Sequence, residues 1–208
     1  MPDLVRELLS GPSYQVAPSL LGRRLVHDSA DGRVIVELSE VEAYDGGADP
    51  ASHASRGMTP RNRVMFGPAG YLYVYFTYGM HWCANVVTGS DGDASAVLVR
   101  AGRVVEGSEL ARRRRGSAVA DRSLARGPAC LTQALGITSD HNGVDLLAGG
   151  QLRLEEGAVA ESDVISSGPR VGVSTAADVA WRFWVPADKT VSAYRRSQRA
   201  PNPAAQAP

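Results

Sequence analysis

Lysine is nearly missing from this chain of 208 residues: 22 residues are basic, and all but Lys189 are arginine. Cysteine is scarce as well. Cys83 and Cys130 cannot build a disulfide framework or a CxxC metal site, and His27, His53, His81 and His141 show no ligand spacing. Neither a structural metal nor a secreted scaffold is supported. The purely apolar runs are only a few residues long, against the roughly 20 that a membrane-spanning helix requires. Met1-Pro2-Asp3 lacks the basic-then-apolar pattern of a signal peptide, and no GxGxxG or Walker loop supports dinucleotide or NTP chemistry. These absences predict a soluble intracellular protein, cytoplasmic if bacterial, with no membrane partner, metal or cofactor.

Net charge is absent too, since 22 acidic residues balance the 22 basic ones. Affinity for phosphate depends on where the charge sits rather than on its sum. The arginines cluster at Arg23-Arg24, Arg61 and Arg63, Arg112 to Arg115 and Arg195-Arg196, and arginine suits planar, bidentate phosphate contact. The quartet from Arg112 to Arg115 reads equally well as a solvated helix end.

The patterning predicts one α+β domain over residues 1–196, built on a curved antiparallel or mixed sheet flanked by helices, with a Pro- and Ala-rich disordered tail over 197–208. Helices are expected at Asp3 to Leu9, Val16 to Leu21, Val105 to Arg114 and Pro128 to Leu135. Strands are expected at Leu25 to His27, Leu72 to Phe76, Trp82 to Val87, Ala96 to Val99, Gln151 to Leu154, Val171 to Val173 and Trp181 to Val185. Val34, Val36 and Leu38 alternate with Ile35, Glu37 and Ser39 after an Asp31-Gly32 turn, which predicts a hairpin with the first strand.

Two stretches carry chemistry. If the strand through Val34 continues in phase, Glu40 and Glu42 fall on its apolar face, and a carboxylate there must find donors or shift its pKa, as general bases do. The alternative is that the strand ends by Ser39 and both glutamates are exposed. In the second stretch, Tyr71, Tyr73 and Tyr75 alternate with Leu72, Val74 and Phe76, giving one phenolic face and one core face. Such a face is a stacking platform for a base, or simply packing. Tyr78, beside Gly79, breaks the phase and suits the tip of a turn. Between the stretches, residues 45–61 form a long loop holding His53, which is either structural or part of the same cleft.

Taken together, Glu42-Ala43-Tyr44, His53, Thr59-Pro60-Arg61-Asn62, Met65-Phe66, Tyr73-Val74-Tyr75, Tyr78-Gly79-Met80, Asn85, Val97-Leu98 with Arg100-Ala101, Gly127-Pro128 and Arg170-Val171-Gly172-Val173 resemble, in order and near-spacing, the alkyladenine (3-methyladenine) DNA glycosylase family. The resemblance spans about residues 16–196. It implies a curved antiparallel sheet with a protruding hairpin, and excision of alkylated or deaminated purines from double-stranded DNA by a monomer without a metal. By position it implies that Glu42 is the base that activates water, that Tyr44, His53 and Tyr75 sandwich the flipped base, and that Asn85 polices exocyclic amino groups. It implies further that Arg100 lies near the water and a phosphate, and that Tyr78, with Met80, Arg61 and Arg63, engages the duplex. His81, where some relatives have Tyr, and Gly127-Pro128-Ala129-Cys130-Leu131, where the family often has Lys or Asn at the fourth position, are departures. With Lys189 remote from Glu42, an amine nucleophile has no candidate and water remains. A non-catalytic module that binds damaged DNA is the rival reading.

Overall fold

The computed structural model describes residues 2–77, 79–157 and 165–202, with side chains from residue 6 onward. Helices α1 (Pro2–Leu9) and α2 (Ser13–Leu20) lead into strands β1 (Arg24–Ser29), β2 (Gly32–Asp45), β3 (Leu72–Thr77), β4 (His81–Thr88) and β5 (Ser95–Glu106). Helices α3 (Ser108–Arg115) and α4 (Pro128–Leu135) follow, and the short strands β6 (Leu152–Glu155), β7 (Ser166–Gly168) and β8 (Arg182–Trp184) complete an eight-stranded sheet. All pairings between these strands are antiparallel, in the order β3-β4-β5-β2-β1-β6, with β8 joining β2 and β7. The fold is α+β with a curled antiparallel sheet, as the sequence predicts. No helix among the described residues is long and apolar enough to cross a membrane.

Several boundaries and one strand differ from expectation, and α2 begins at Ser13, three residues early. β5 runs on through Val105 to Glu106, so α3 starts at Ser108. The break falls at Gly107, whose φ is 77° and where a Cβ would lie 2.1 Å from the Arg33 carbonyl oxygen; only glycine fits both conditions. Val171 to Val173 is not a strand but a bend, turned by Gly172 at φ 73°. The strand in this region is β7, upstream. Residues 197–202 of the expected tail are described, and Arg196 donates to the Pro201 carbonyl; residues 203–208 lie outside the described set.

The largest difference lies within β2. Its pairing with β5 slips between Leu38 and Glu40 and again between Glu40 and Val41, leaving Ser39 and Arg100 outside the regular register. Such irregularities rotate the strand. The core accordingly takes Val34, Val36 and Leu38 before the slip and Val41 and Ala43 after it. Glu40 and Glu42 therefore leave the apolar face on which strict alternation would place them. They remain fully buried on the opposite face, where a second cluster of Ala54, Met65, Tyr73, Val87, Ala94 and Ala96 packs the 46–66 segment against the sheet. At the slip the neighbour of β2 also changes, from β1 along Gly32–Glu37 to β8 along Glu40–Glu42.

Three arginines of the quartet stitch the helical layer together. Arg112 pairs with Glu109 and Asp121, Arg114 reaches the Ala134 carbonyl and Ser29, and Arg115 reaches the Leu124 carbonyl and Gln133. Only Arg113 of the four is fully exposed.

Candidate active site

A cavity of about 440 Å3 opens on the face to which the slip turns β2, within the size range of small-molecule sites. Glu42, Tyr44, His53, Tyr75, Asn85 and Arg100 all line it. These come from β2, the 46–66 segment, β3, β4 and β5, so the site exists only in the assembled sheet. Arg61, Arg63 and Met80 are exposed, with Met80 in the turn between β3 and β4. Tyr78 lies outside the described residues.

Glu42 occupies the floor. One carboxylate oxygen, Oε1, accepts the Val171 N–H at 2.7 Å; the other, Oε2, accepts the Tyr44 hydroxyl at 2.9 Å and lies 3.3 Å from Nη1 of Arg100. A carboxylate oxygen takes about two hydrogen bonds, so Oε1 retains capacity for one more donor. Burial works against the Arg100 charge, but Glu42 and then Glu40 outweigh it and raise the guanidinium pKa above its ordinary value. Glu40 is braced rather than free: Arg100, Arg182 and Ser192 all donate to it.

Part of the lining is a cluster of aromatic rings. Tyr73 and Tyr75 stack with centroids 5.6 Å apart, and His53 meets Tyr75 edge-on at 4.5 Å while its Nδ1 lies 3.3 Å from the Tyr73 hydroxyl. Burial pushes the phenols of Tyr44 and Tyr75 well up, the nearby Glu42 charge adding to it for Tyr44, so both stay protonated. The Cys83 thiol beside Tyr75 is also raised by burial. Asn85 donates to the Tyr73 carbonyl at 3.1 Å. At the rim Arg61 donates to the Phe76 carbonyl and lies 5.9 Å over the Tyr75 ring. Tyr44 belongs to a separate stack. Arg170 lies 4.7 Å over its ring and 5.3 Å over Trp181, which in turn stacks on Tyr14.

Burial, followed by the Arg61 charge, lowers the His53 pKa below its ordinary 6.5, and burial with His27 does the same for His141. A histidine that the folded state keeps neutral binds fewer protons folded than unfolded, so its stabilisation is present above pH 6.5 and is lost on acidification below it. The melting temperature is expected to fall between pH 7.5 and 5.5, and His53→Gln should reduce that fall. A variant with an unchanged pH profile would contradict this account of His53.

The site also contains residues whose roles the sequence did not disclose. Arg170 and Asp49 form a fully buried bidentate pair at 2.5 and 2.9 Å, and Arg170 further donates to the Ala43 carbonyl. The turn at Gly172 aims the Val171 N–H at Glu42. Arg182 and Ser192 enter through Glu40. Among the described residues no three His, Cys, Asp or Glu side chains are grouped to hold a metal ion.

Residues 7–189 match the family described as Methylpurine-DNA glycosylase (MPG). A Streptomyces avermitilis protein named "Putative 3-methyladenine DNA glycosylase" is 53% identical over 195 residues, covering 92% of each chain. Proteins of the same name from Nocardia farcinica and Burkholderia lata are 54% and 47% identical, covering 91% of this chain in both cases and 92% and 90% of their own. With an aromatic cavity floored by a buried carboxylate and a match over nearly its whole length, the chain belongs to the methylpurine-DNA glycosylase family.

Proposed function

We propose that the chain hydrolyses the N-glycosidic bond of methylated purines in DNA, with Glu42 activating the water. The observation that carries this reading is a carboxylate held by two hydrogen-bond donors and the Arg100 ion pair at the floor of a cavity lined by aromatic rings, with one oxygen still able to accept. The extruded base would lie between Tyr44 on one side and the His53–Tyr75 pair on the other, paid for in part by stacking. The water oxygen bonds to C1', the C1'–N9 bond breaks with its electron pair going to the purine, and Glu42 takes the water proton. Sugar 1'-hydroxyl and free base are the products. Lys189 is exposed and does not line the cavity, so no lysine amine competes with water there.

A purine methylated at N3 or N7 is cationic and departs neutral without further help. A deaminated purine is neutral in the nucleotide and must gain a proton as it leaves. The phenols and the neutral His53 that line the cavity are weak acids, so methylated purines should be released faster than hypoxanthine.

The test is release of free base from methylated duplex DNA. Free 3-methyladenine or 7-methylguanine supports the proposal, whereas lesion binding without release would establish a binding module. Tyr78, between β3 and β4 in the chain, is proposed to fill the vacated stack beside Met80. Extrusion costs a few kcal/mol in a duplex and less in a single strand. Tyr78→Ala should therefore slow excision from duplex DNA far more than from a single strand carrying the same lesion, and equal losses would sink the role.

A further inference from the structure

We propose that Ser192, on the irregular segment after β8, is a positioning residue of the excision site, orienting Arg100 toward Glu42 through the buried Glu40. The inference rests on the function proposed above and extends it to a residue three positions beyond the family match, which ends at 189.

Ser192 commits all of its polar groups to this network. Its N–H donates to Glu40 Oε2 at 2.7 Å, its hydroxyl donates to Glu40 Oε1 at 2.9 Å, and its carbonyl accepts from Arg182 Nη2 at 2.7 Å. Its Oγ also accepts from Arg100 Nη2 at 3.3 Å. Each edge of the Arg100 guanidinium is thereby assigned: Nε to Glu40, Nη2 to Ser192 and Nη1 to Glu42.

Glu40 is fully buried yet does not line the cavity, so it meets neither substrate nor water. Its contribution is the direction it gives Arg100. Oε1 receives three donors, from Arg100, Arg182 and Ser192. Without the Ser192 hydroxyl, Nη2 of Arg100 has no other hydrogen-bond acceptor among the described residues, and one of the three constraints on the guanidinium plane disappears. The plane can then turn, carrying Nη1 away from Glu42. Arg100 is only 7% exposed, so the change is felt at the reacting centre and not on the DNA-binding surface.

The experiment compares wild type, Ser192→Ala and Ser192→Thr in single-turnover release of 3-methyladenine from alkylated duplex DNA. It is accompanied by affinity for a duplex carrying a non-cleavable abasic analogue and by thermal melting. Rates are taken per DNA-binding-competent molecule, so partial unfolding does not register as slow chemistry. Ser192→Ala keeps the backbone N–H and loses only the hydroxyl; misplacement of a site group by about 1 Å can cost as much as 10²-fold, and a loss of about 10- to 100-fold with affinity unchanged is expected. Ser192→Thr restores the hydroxyl and should restore the rate. Ser192→Ala at the wild-type rate, or Ser192→Thr as slow as Ser192→Ala, would overturn the inference alone. Wild-type protein that releases no base would overturn the functional reading and this inference with it.

Discussion

Glu42→Gln is expected to reduce base release from methylated duplex DNA by about 10²- to 10⁴-fold, the usual range for loss of a general base. The amide matches the carboxylate in shape. It can still accept the Val171 N–H through its oxygen, which keeps the fold, but it cannot accept a proton from water. Its NH2 group, placed toward Tyr44 and Arg100, meets two donors where the carboxylate met two partners. DNA affinity should remain near wild type, because Glu42 is fully buried at the cavity floor and away from the exposed arginines. The measurement is single-turnover release beside a binding titration on the same duplex. Release within a few-fold of wild type would remove Glu42 from the role of base, and Tyr44 or Arg100 would have to be reconsidered as the group that orders the water.

The largest effect on stability is expected from Asp49→Ala. Arg170 and Asp49 are both fully buried, and removing one partner of such a pair leaves a charge with no compensation, at about 3–5 kcal/mol. For a chain of this size that corresponds to a fall in Tm on the order of 6–20 °C. Nε of Arg170 is already the one buried side-chain nitrogen or oxygen without a hydrogen-bond partner among the described residues, so the guanidinium has little to fall back on. Excision should suffer beyond what unfolding explains, because Arg170 lies on the Tyr44 ring and immediately precedes the amide that binds Glu42. The double variant Asp49→Ala/Arg170→Met separates the two effects. With neither charge left, much of the stability should return, while excision stays low because the support beneath Tyr44 has changed. Recovery of both together would mean that Arg170 serves the fold alone.

What could be read from the sequence follows from the range of each interaction. The hairpin of β1 and β2, the tyrosine strand and α4 with Pro128 at its first turn and Gly136 past its end are set by neighbours a few residues apart. Those were legible. Burial of Glu40 and Glu42 was legible as a consequence but not as a cause: alternation places them on the core face, whereas paired irregularities at Ser39 and Arg100 turn them to the other. A slip of this kind depends on two strands at once and leaves no mark in either one. The phenolic face also held for Tyr73 and Tyr75, while Phe76, expected in the core, is exposed against Trp82, because β3 outruns the body of the sheet there. The loop-borne partners of the site were the least legible. Short strings such as Arg170-Val171-Gly172-Val173 marked a place without saying that the arginine would bind Asp49 or that the glycine would bend the chain.

Those partners also decide when the site comes into being. Val171 reaches Glu42 across 129 positions, Arg170 reaches Asp49 across 121 and Ser192 reaches Glu40 across 152. During synthesis Glu40 and Glu42 leave the ribosome early and Arg100 follows midway, whereas Val171, Arg182 and Ser192, which complete their shells, arrive only with the last part of the chain. Contacts of such sequence separation are slow to form, since loop closure precedes any gain from them. The hairpin of β3 and β4 can close as soon as residue 88 is available. Maturation thus has an order, in which the β3–β4 hairpin is finished first and the surroundings of Glu42 last, and a chain stalled before Val171 lacks the late donors to both Glu42 and Glu40.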